Sequence, residues 1–276
     1  MTLVESRLHH TKRFGQHFLT GAEIADRIAG YAGLTPVDYV LEIGPGRGML
    51  TERLLARTPH VTAVEVDRDL IGELRSRFEG RGNFRLVEGD ILRINLEEVF
   101  RDVPVRIKVV SNIPFNISSS IIDLLIRSRS VVALAVLMVQ KEVALRLIAP
   151  AGSREYGLTT VNLRLCATIE RVMDVKPGAF APPPEVMSSV VRIEFFPGYR
   201  YPLSDERIFR EVTGAAFRHR RKMLRNTLAP YLETRGIAPN HVVAFLEQVG
   251  VNPVSRPENI DVTDWARLAR AIGELG

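Results

Sequence analysis

The chain has 276 residues, 46% hydrophobic and 25% charged, a balance that supplies a full globular core and excludes a disordered or fibrous protein. Its single cysteine, Cys166, excludes a disulfide framework, and no Cys/His cluster has zinc spacing, so no metal site is expected. The net charge of +5 favours a polyanionic partner.

The amino terminus mixes charges and histidines, unlike a secretory signal, and no uncharged apolar run reaches the ~18 residues of a membrane span. A soluble, cytoplasmic protein is expected. Residues 1–20 read as a basic arm, and the segment from Lys12 to Leu19 either anchors it to the domain or closes over a ligand. Apolar residues at helical spacing predict a helix over 21–32. Residues 39–43, Tyr-Val-Leu-Glu-Ile, read as the first strong strand. Gly44-Pro45-Gly46-Arg47-Gly48 follows, then a helix over 49–57. These glycines let the backbone approach a ligand at a helix amino terminus. A nicotinamide-cofactor fingerprint would need a glycine at Met49.

The strand over 60–66 carries Glu65, 21 residues after Gly44, an offset suited to accepting bonds from both ribose hydroxyls. A helix over 68–78 and a strand over 84–87 lead to Glu88-Gly89-Asp90. The β-branched run 107–110 is a buried parallel strand and opens into Ser111-Asn112-Ile113-Pro114-Phe115-Asn116-Ile117-Ser118, with a helix from about 121. Strand ends thus supply Gly44, Glu65, Asp90 and Asn112 on one edge of a parallel sheet, where open α/β sheets bind ligands. The last stretch offers an amide, a carbonyl before a proline and an aromatic face, the parts needed to hold a flat base by its exocyclic amine.

A fifth strand spans 131–140 and a helix 141–148. A loop over 149–156 precedes a helix over 158–166 and a strand over 167–175. Phe180-Ala181-Pro182-Pro183-Pro184 is stiffened by its prolines and is either a rigid linker or a site wall. A last strand covers 189–196, and 197–202 reads as a domain boundary. Ser204-Asp205-Glu206 caps a helix to about 217. The next helix carries Arg218, Arg220, Arg221, Lys222 and Arg225, either a solvated face or a phosphate-binding one. Two shorter helices span 240–249 and 263–274. The fold class is α/β: a Rossmann-like, mostly parallel sheet over 21–197, with a small helical domain over 198–276.

The strand-end series resembles class I methyltransferases. Combined with KRFGQHFL, LEIGPGRG, NIPFNIS, LMVQKEVALRL, YGLTTV, FAPPPEVMSSVVRI and FRHRRKMLRNTL, it resembles the KsgA-type small-subunit rRNA adenine dimethyltransferases over nearly the whole chain. The resemblance implies S-adenosylmethionine as cofactor, held by Gln16, His17, Leu19, Glu42, Gly44, Gly46, Gly48, Glu65, Val66, Asp90, Ile91 and Asn112. Within that set Glu65 takes the ribose and Asp90 the adenine edge. It implies Asn112, Ile113, Pro114 and Phe115 as catalytic residues, with Phe115 and Phe180 as two walls for the substrate base. In this reading the Asn112 side-chain oxygen and the Ile113 carbonyl each accept a hydrogen from the target amine.

The implied partner is small-subunit rRNA in a pre-ribosomal particle, where two adjacent adenosines of the 3′-terminal hairpin are dimethylated. The implied RNA contacts are Arg218, Arg220, Arg221, Lys222 and Arg225, and the protein acts as a monomer. The sequence departs from the family's common form at Ile113 and Phe115, where Leu and Tyr are frequent, and at His17, where Asn is common. An antibiotic-resistance-type methyltransferase of large-subunit rRNA and a noncatalytic RNA-binding relative are the alternatives.

Overall fold

Short aliphatic runs alternate with amphipathic helices through the first two-thirds of the chain, and the computed structural model turns this pattern into a wound sheet. It describes residues 17–81, 84–203 and 205–275, so Gln16 and most of the amino-terminal arm lie outside the described residues. In chain order the elements begin with β1 (Phe18–Leu19), α1 (Ala22–Tyr31), β2 (Tyr39–Ile43), α2 (Met49–Leu55), β3 (His60–Glu65), α3 (Arg68–Phe78) and β4 (Phe84–Glu88). Next come α4 (Leu96–Val99), β5 (Ile107–Asn112), α5 (Ser118–Arg127), β6 (Val132–Gln140) and α6 (Lys141–Ile148). They continue with α7 (Leu158–Cys166), β7 (Ala167–Val175), β8 (Phe180–Ala181) and β9 (Ser188–Phe195). The chain ends with α8 (Glu206–Phe217), α9 (Leu224–Glu233), α10 (Val242–Gln248) and α11 (Val262–Gly273).

The chain divides into two compact units, one of residues up to 144 with 169–195, the other of 145–168 with 196 onward. In the first, seven strands lie in the order β4-β3-β2-β5-β6-β9-β7. Strands β4 to β6 run parallel and β9 is antiparallel to β6. Sequence-adjacent β2 and β3 are neighbours, while β5 lies on the other flank of β2, so the winding reverses between β2 and β5. Alternation along β2 and β5 sends Val40 and Val110 into an apolar layer with Ala25, Ile28 and Ala29 of α1 and Leu50 and Leu54 of α2. Helix α3 starts cleanly because the Asp67 carboxylate accepts from the backbone of Asp69 (3.0 Å).

The second unit is helical, and its boundary differs from the expected one near 197. Residues 145–168 belong to it because Val161 and Leu165 of α7 share a core with Phe209, Val212, Leu228, Leu246 and Trp265. The cap of α8 is Asp205, whose carboxylate accepts from the backbone of Arg207 (2.7 Å); Ser204 lies outside the described residues. No helix among the described residues is long and apolar enough to cross a membrane.

Trp265 is fully buried, with its ring 6.0 Å from that of Phe217. Trp265→Ala should cost about 3–5 kcal/mol through lost burial and the cavity left behind. Urea unfolding followed by far-ultraviolet circular dichroism measures this; a loss below about 1 kcal/mol would contradict this packing.

Candidate active site

The sheet opens where its winding reverses. Strands β2 and β5 pair at Val40↔Lys108 and Leu41↔Val109. Past that point the Ile43 N–H donates to the Ser111 hydroxyl (2.6 Å), and Ser111 is fully buried. The crevice beyond these carboxyl ends is a cavity of about 270 Å³. Strand ends and the turns after them line it with Glu42 and Gly44 from β2, Glu65 and Val66 from β3, Asp90 and Ile91 past β4, and Asn112 to Phe115 from β5. His17 and Leu19 line it from the amino-terminal side.

The first two glycines of the Gly44–Gly48 loop have a steric reason to be glycine. Both take positive φ, and a Cβ on Gly46 would sit 2.9 Å from the Phe18 ring. Gly48 lies elsewhere than expected. It caps α2 in the left-handed conformation, and its missing Cβ makes room for the Phe78 ring, 2.4 Å from where that atom would be. It serves the packing of α2 against α3 and does not line the cavity.

Acids predominate among the charged groups of a mostly apolar lining. Glu65 accepts from the backbones of Val66 (2.8 Å), Asp67 (3.0 Å) and Gly46 (3.4 Å), which ties the glycine loop to the end of β3. Its carboxyl is raised above the usual range by burial, against the opposing pull of those amides. Glu42 occupies the face of β2 that carries Val40, and is 1% exposed. It accepts from the Thr51 hydroxyl of α2 at 2.6 Å. Burial, reinforced by the charge of Glu65, pushes Glu42 up to about 8. Asp90 spends one oxygen on the backbone of Leu92 (3.0 Å) and is partly exposed. Against these carboxylates the lining offers one arginine, Arg47, whose guanidinium lies 5.2 Å from the centre of the Phe18 ring. Neither Glu42 nor Glu65 has an ion-pair partner among the described residues. Such a cavity suits a cationic ligand with hydroxyls and an apolar flat part, for which Val66, Ile91 and the unanticipated Leu92 provide surface.

The base-holding parts converge as expected in part. The Asn112 amide nitrogen donates to the His17 carbonyl (3.1 Å), so the side-chain oxygen is the atom left to accept from a ligand. The Pro114 carbonyl is occupied by the Ile117 N–H (3.3 Å) and the Ser118 hydroxyl (3.2 Å). Among the described residues no donor reaches the Ile113 carbonyl. Phe115 is half-buried, with the His17 ring 5.6 Å away at 33°. The His17 ring is held by Nδ1, which donates to the Pro182 carbonyl (2.9 Å).

Phe180 corrects the expectation of a second wall. Strand β8 pairs with β1 at Leu19↔Phe180, which turns Phe180 into the apolar layer with Leu19 and leaves it 4% exposed and out of the cavity lining. The proline segment instead meets the site through its backbone, at His17. The basic run is corrected too: Arg218 to Lys222 lie in the turn between α8 and α9, and Arg225 alone of the five is on α9. Among the described residues no cluster is gathered to hold a metal ion.

Between 4.5 and about 8 the folded protein keeps a proton on Glu42 that the unfolded chain has released. This group therefore lowers stability progressively as pH rises through that window. Glu42→Gln should gain melting temperature relative to the unmodified protein between pH 5 and about 8. Thermal melts of the ligand-free proteins test this, and a constant difference across the window would contradict the assignment.

Comparison with known proteins identifies the family of the chain. The family described as Ribosomal RNA adenine dimethylase matches residues 7–273. "Ribosomal RNA small subunit methyltransferase A" of Synechococcus elongatus is 41% identical, with 95% of each chain covered. The protein of the same name from Magnetococcus marinus is 41% identical, covering 98% of this chain and 94% of its own. Among solved structures, a dimethyladenosine transferase from Plasmodium falciparum superposes with a TM-score of 0.77 at 28% identity, covering 91% of this chain and 96% of its own. The 23S rRNA methyltransferase ErmE superposes with a TM-score of 0.68 at 26% identity, covering 92% and 99%. The chain belongs to the ribosomal RNA adenine dimethylase family, whose methyl donor is S-adenosylmethionine.

Proposed function

We propose that this enzyme converts two adjacent adenosines in the 3′-terminal hairpin of small-subunit rRNA to N6,N6-dimethyladenosine, acting as a cytoplasmic monomer on a pre-ribosomal particle. Full-length similarity to relatives named for the small subunit, at 41% identity, supports this target over the large subunit. The large-subunit enzyme ErmE has 26% identity.

One observation carries the chemistry: the Asn112 oxygen and the Ile113 carbonyl stand at the end of β5 without donors among the described residues, beside the half-buried ring of Phe115. An exocyclic adenine amine is a poor nucleophile because its lone pair is delocalised into the ring. Two acceptors turned toward its hydrogens pull that nitrogen toward a tetrahedral arrangement and stabilise the positive charge it acquires. Phe115 stacks on the base and fixes its plane. The His17 carbonyl takes one N–H of the Asn112 amide, which fixes its orientation and leaves the oxygen to face the target amine. S-adenosylmethionine supplies an electrophilic methyl on a cationic sulfur. Its positive charge would favour the ionised forms of Glu42 and Glu65, whose protons burial otherwise retains. Glu65 would also accept from ribose hydroxyls, and Val66, Ile91 and Leu92 would bracket the adenine. The amine becomes acidic only after methyl transfer, so its proton can leave to solvent and no carboxylate base is required beside it. The target adenosine must leave its stack to reach Phe115, which costs least in a hairpin loop. The helical unit, with Arg218, Arg221, Lys222 and Arg225 exposed, grips the surrounding backbone.

Labelled methyl transfer to small-subunit particles lacking the modification, followed by nucleoside mapping, tests the target. Label should appear as N6,N6-dimethyladenosine in the 3′-terminal hairpin, whereas label only in large-subunit RNA would replace this reading. Asn112→Ala should bind S-adenosylmethionine within a few-fold of the parent and lose about a hundredfold or more in transfer rate, as when an aimed polar group is removed from a transition state. Phe115→Ala should lose about 5- to 150-fold in kcat/KM, the equivalent of ~1–3 kcal/mol of stacking, while Phe115→Tyr should stay near the parent. Equal rates for the two Phe115 variants would refute the stacking role.

A further inference from the structure

The five basic residues picked out by the sequence are not equivalent. Arg218, Arg221, Lys222 and Arg225 are exposed, and none shows an ion-pair partner among the described residues. Arg220 is committed. Its Nε donates to Glu258 Oε2 at 2.6 Å, and its Nη2 donates to the backbone carbonyl of Arg154. Glu258 in turn accepts at its own carbonyl from the Gly152 N–H (2.7 Å). Two further backbone bonds run beside this pair, from Leu224 N–H to the Ser255 carbonyl (2.8 Å) and from Arg225 N–H to the Pro253 carbonyl (3.0 Å). Three stretches far apart in sequence, 152–156, 218–225 and 253–258, are thereby laced together within the second unit.

The lacing changes the electrostatics of the surface. It ties the stretches that carry exposed Arg154 and Arg256, which no run in the sequence connects to the others, to the 218–225 stretch with its four exposed bases. The acids in these three stretches are Glu155 and Glu258, and Glu258 is neutralised by Arg220. The three joined stretches thus carry six exposed cations against one carboxylate, Glu155, outside the Arg220 pair, a balance that favours phosphates. A guanidinium fork can bond Glu258 and a carbonyl together, whereas an ammonium has no fork to bridge them.

We propose that Arg220 is a positioning residue rather than an RNA contact, and that with Glu258 it assembles one phosphate-docking surface from three separate segments. The proposal rests on the reading of this protein as an rRNA-modifying enzyme. It makes a prediction opposite to simple charge counting. Removing the Glu258 carboxylate takes a negative charge off a surface that binds a polyanion, which by itself should strengthen binding; here it should weaken it.

The experiment measures affinity of the full chain for unmodified small-subunit particles over a series of salt concentrations. Glu258→Ala and Arg220→Lys should each bind about tenfold more weakly than the parent, as expected when hydrogen bonds to charged groups are lost. Arg220→Lys keeps the charge and makes the smaller change to the fold. Both variants should keep the parent's slope of log affinity against log salt, while Arg221→Ala should lower that slope by roughly 0.9 or less, the value for one phosphate no longer neutralised. Parent-like or tighter binding by Glu258→Ala, or parent-like binding by Arg220→Lys, would overturn the proposal, as would a slope for Arg220→Ala that falls like that of Arg221→Ala. A parent protein that does not bind these particles would overturn the rRNA reading itself.

Discussion

Everything at the candidate site depends on two parallel strands ceasing to pair. Beyond Leu41↔Val109 the backbones of β2 and β5 separate, and the Ile43 N–H, which would otherwise be a buried orphan, is taken by the Ser111 hydroxyl. That single side chain lets the sheet open without leaving an unpaired donor at the floor of the crevice. The winding reverses at the same place, so the turns after β2 and β5 leave in opposite directions and neither covers the gap. Gly44 and Asn112 then face one cavity from its two sides.

The electrostatic character of the cavity follows from where the acids sit. Glu42 occupies an interior position of β2, between the layer built from Val40, Leu50 and Leu54 and the open crevice. A carboxylate held there by one hydroxyl is costly, and its raised proton affinity expresses that cost. Core packing alone gives no reason for an acid at this position, and a hydrophobic residue would suit the ligand-free fold better. The acid makes sense for a cavity that receives positive charge, and Glu65, fastened by three amides, is placed to the same end. Stability of the empty protein is exchanged for complementarity to a cationic cofactor.

Much of this arrangement is legible in the sequence because it is periodic. The β-branched runs mark the parallel strands, and the polar or glycine residues within three positions after each run mark the ligand edge. In this way Gly44, Glu65, Asp90 and Asn112 are all found at the cavity. What is not legible depends on contacts between distant segments. Phe180 reads as a wall because it precedes stiff prolines, yet pairing with Leu19 turns it into the core. Gly48 reads as part of a ligand loop, yet its missing Cβ accommodates Phe78, thirty residues on. Arg220 reads as one more cation in a basic run, and its salt bridge to Glu258 spans 38 positions. Residues 145–168 read as part of the sheet domain because they lie between strands; only their shared core with Phe209 and Trp265 assigns them to the helical unit.

The central claim is that the Asn112 oxygen and the Ile113 carbonyl together receive the two hydrogens of the target amine. A crystal structure of the enzyme with S-adenosylhomocysteine and adenosine measures this directly. The expected result is an adenine N6 within about 2.7–3.2 Å of both oxygens, the usual N–H···O range, with the base stacked on Phe115 and the Asn112 nitrogen still bonded to the His17 carbonyl. An N6 bonded to neither oxygen, or an Asn112 amide turned to offer its nitrogen to the base, would contradict it.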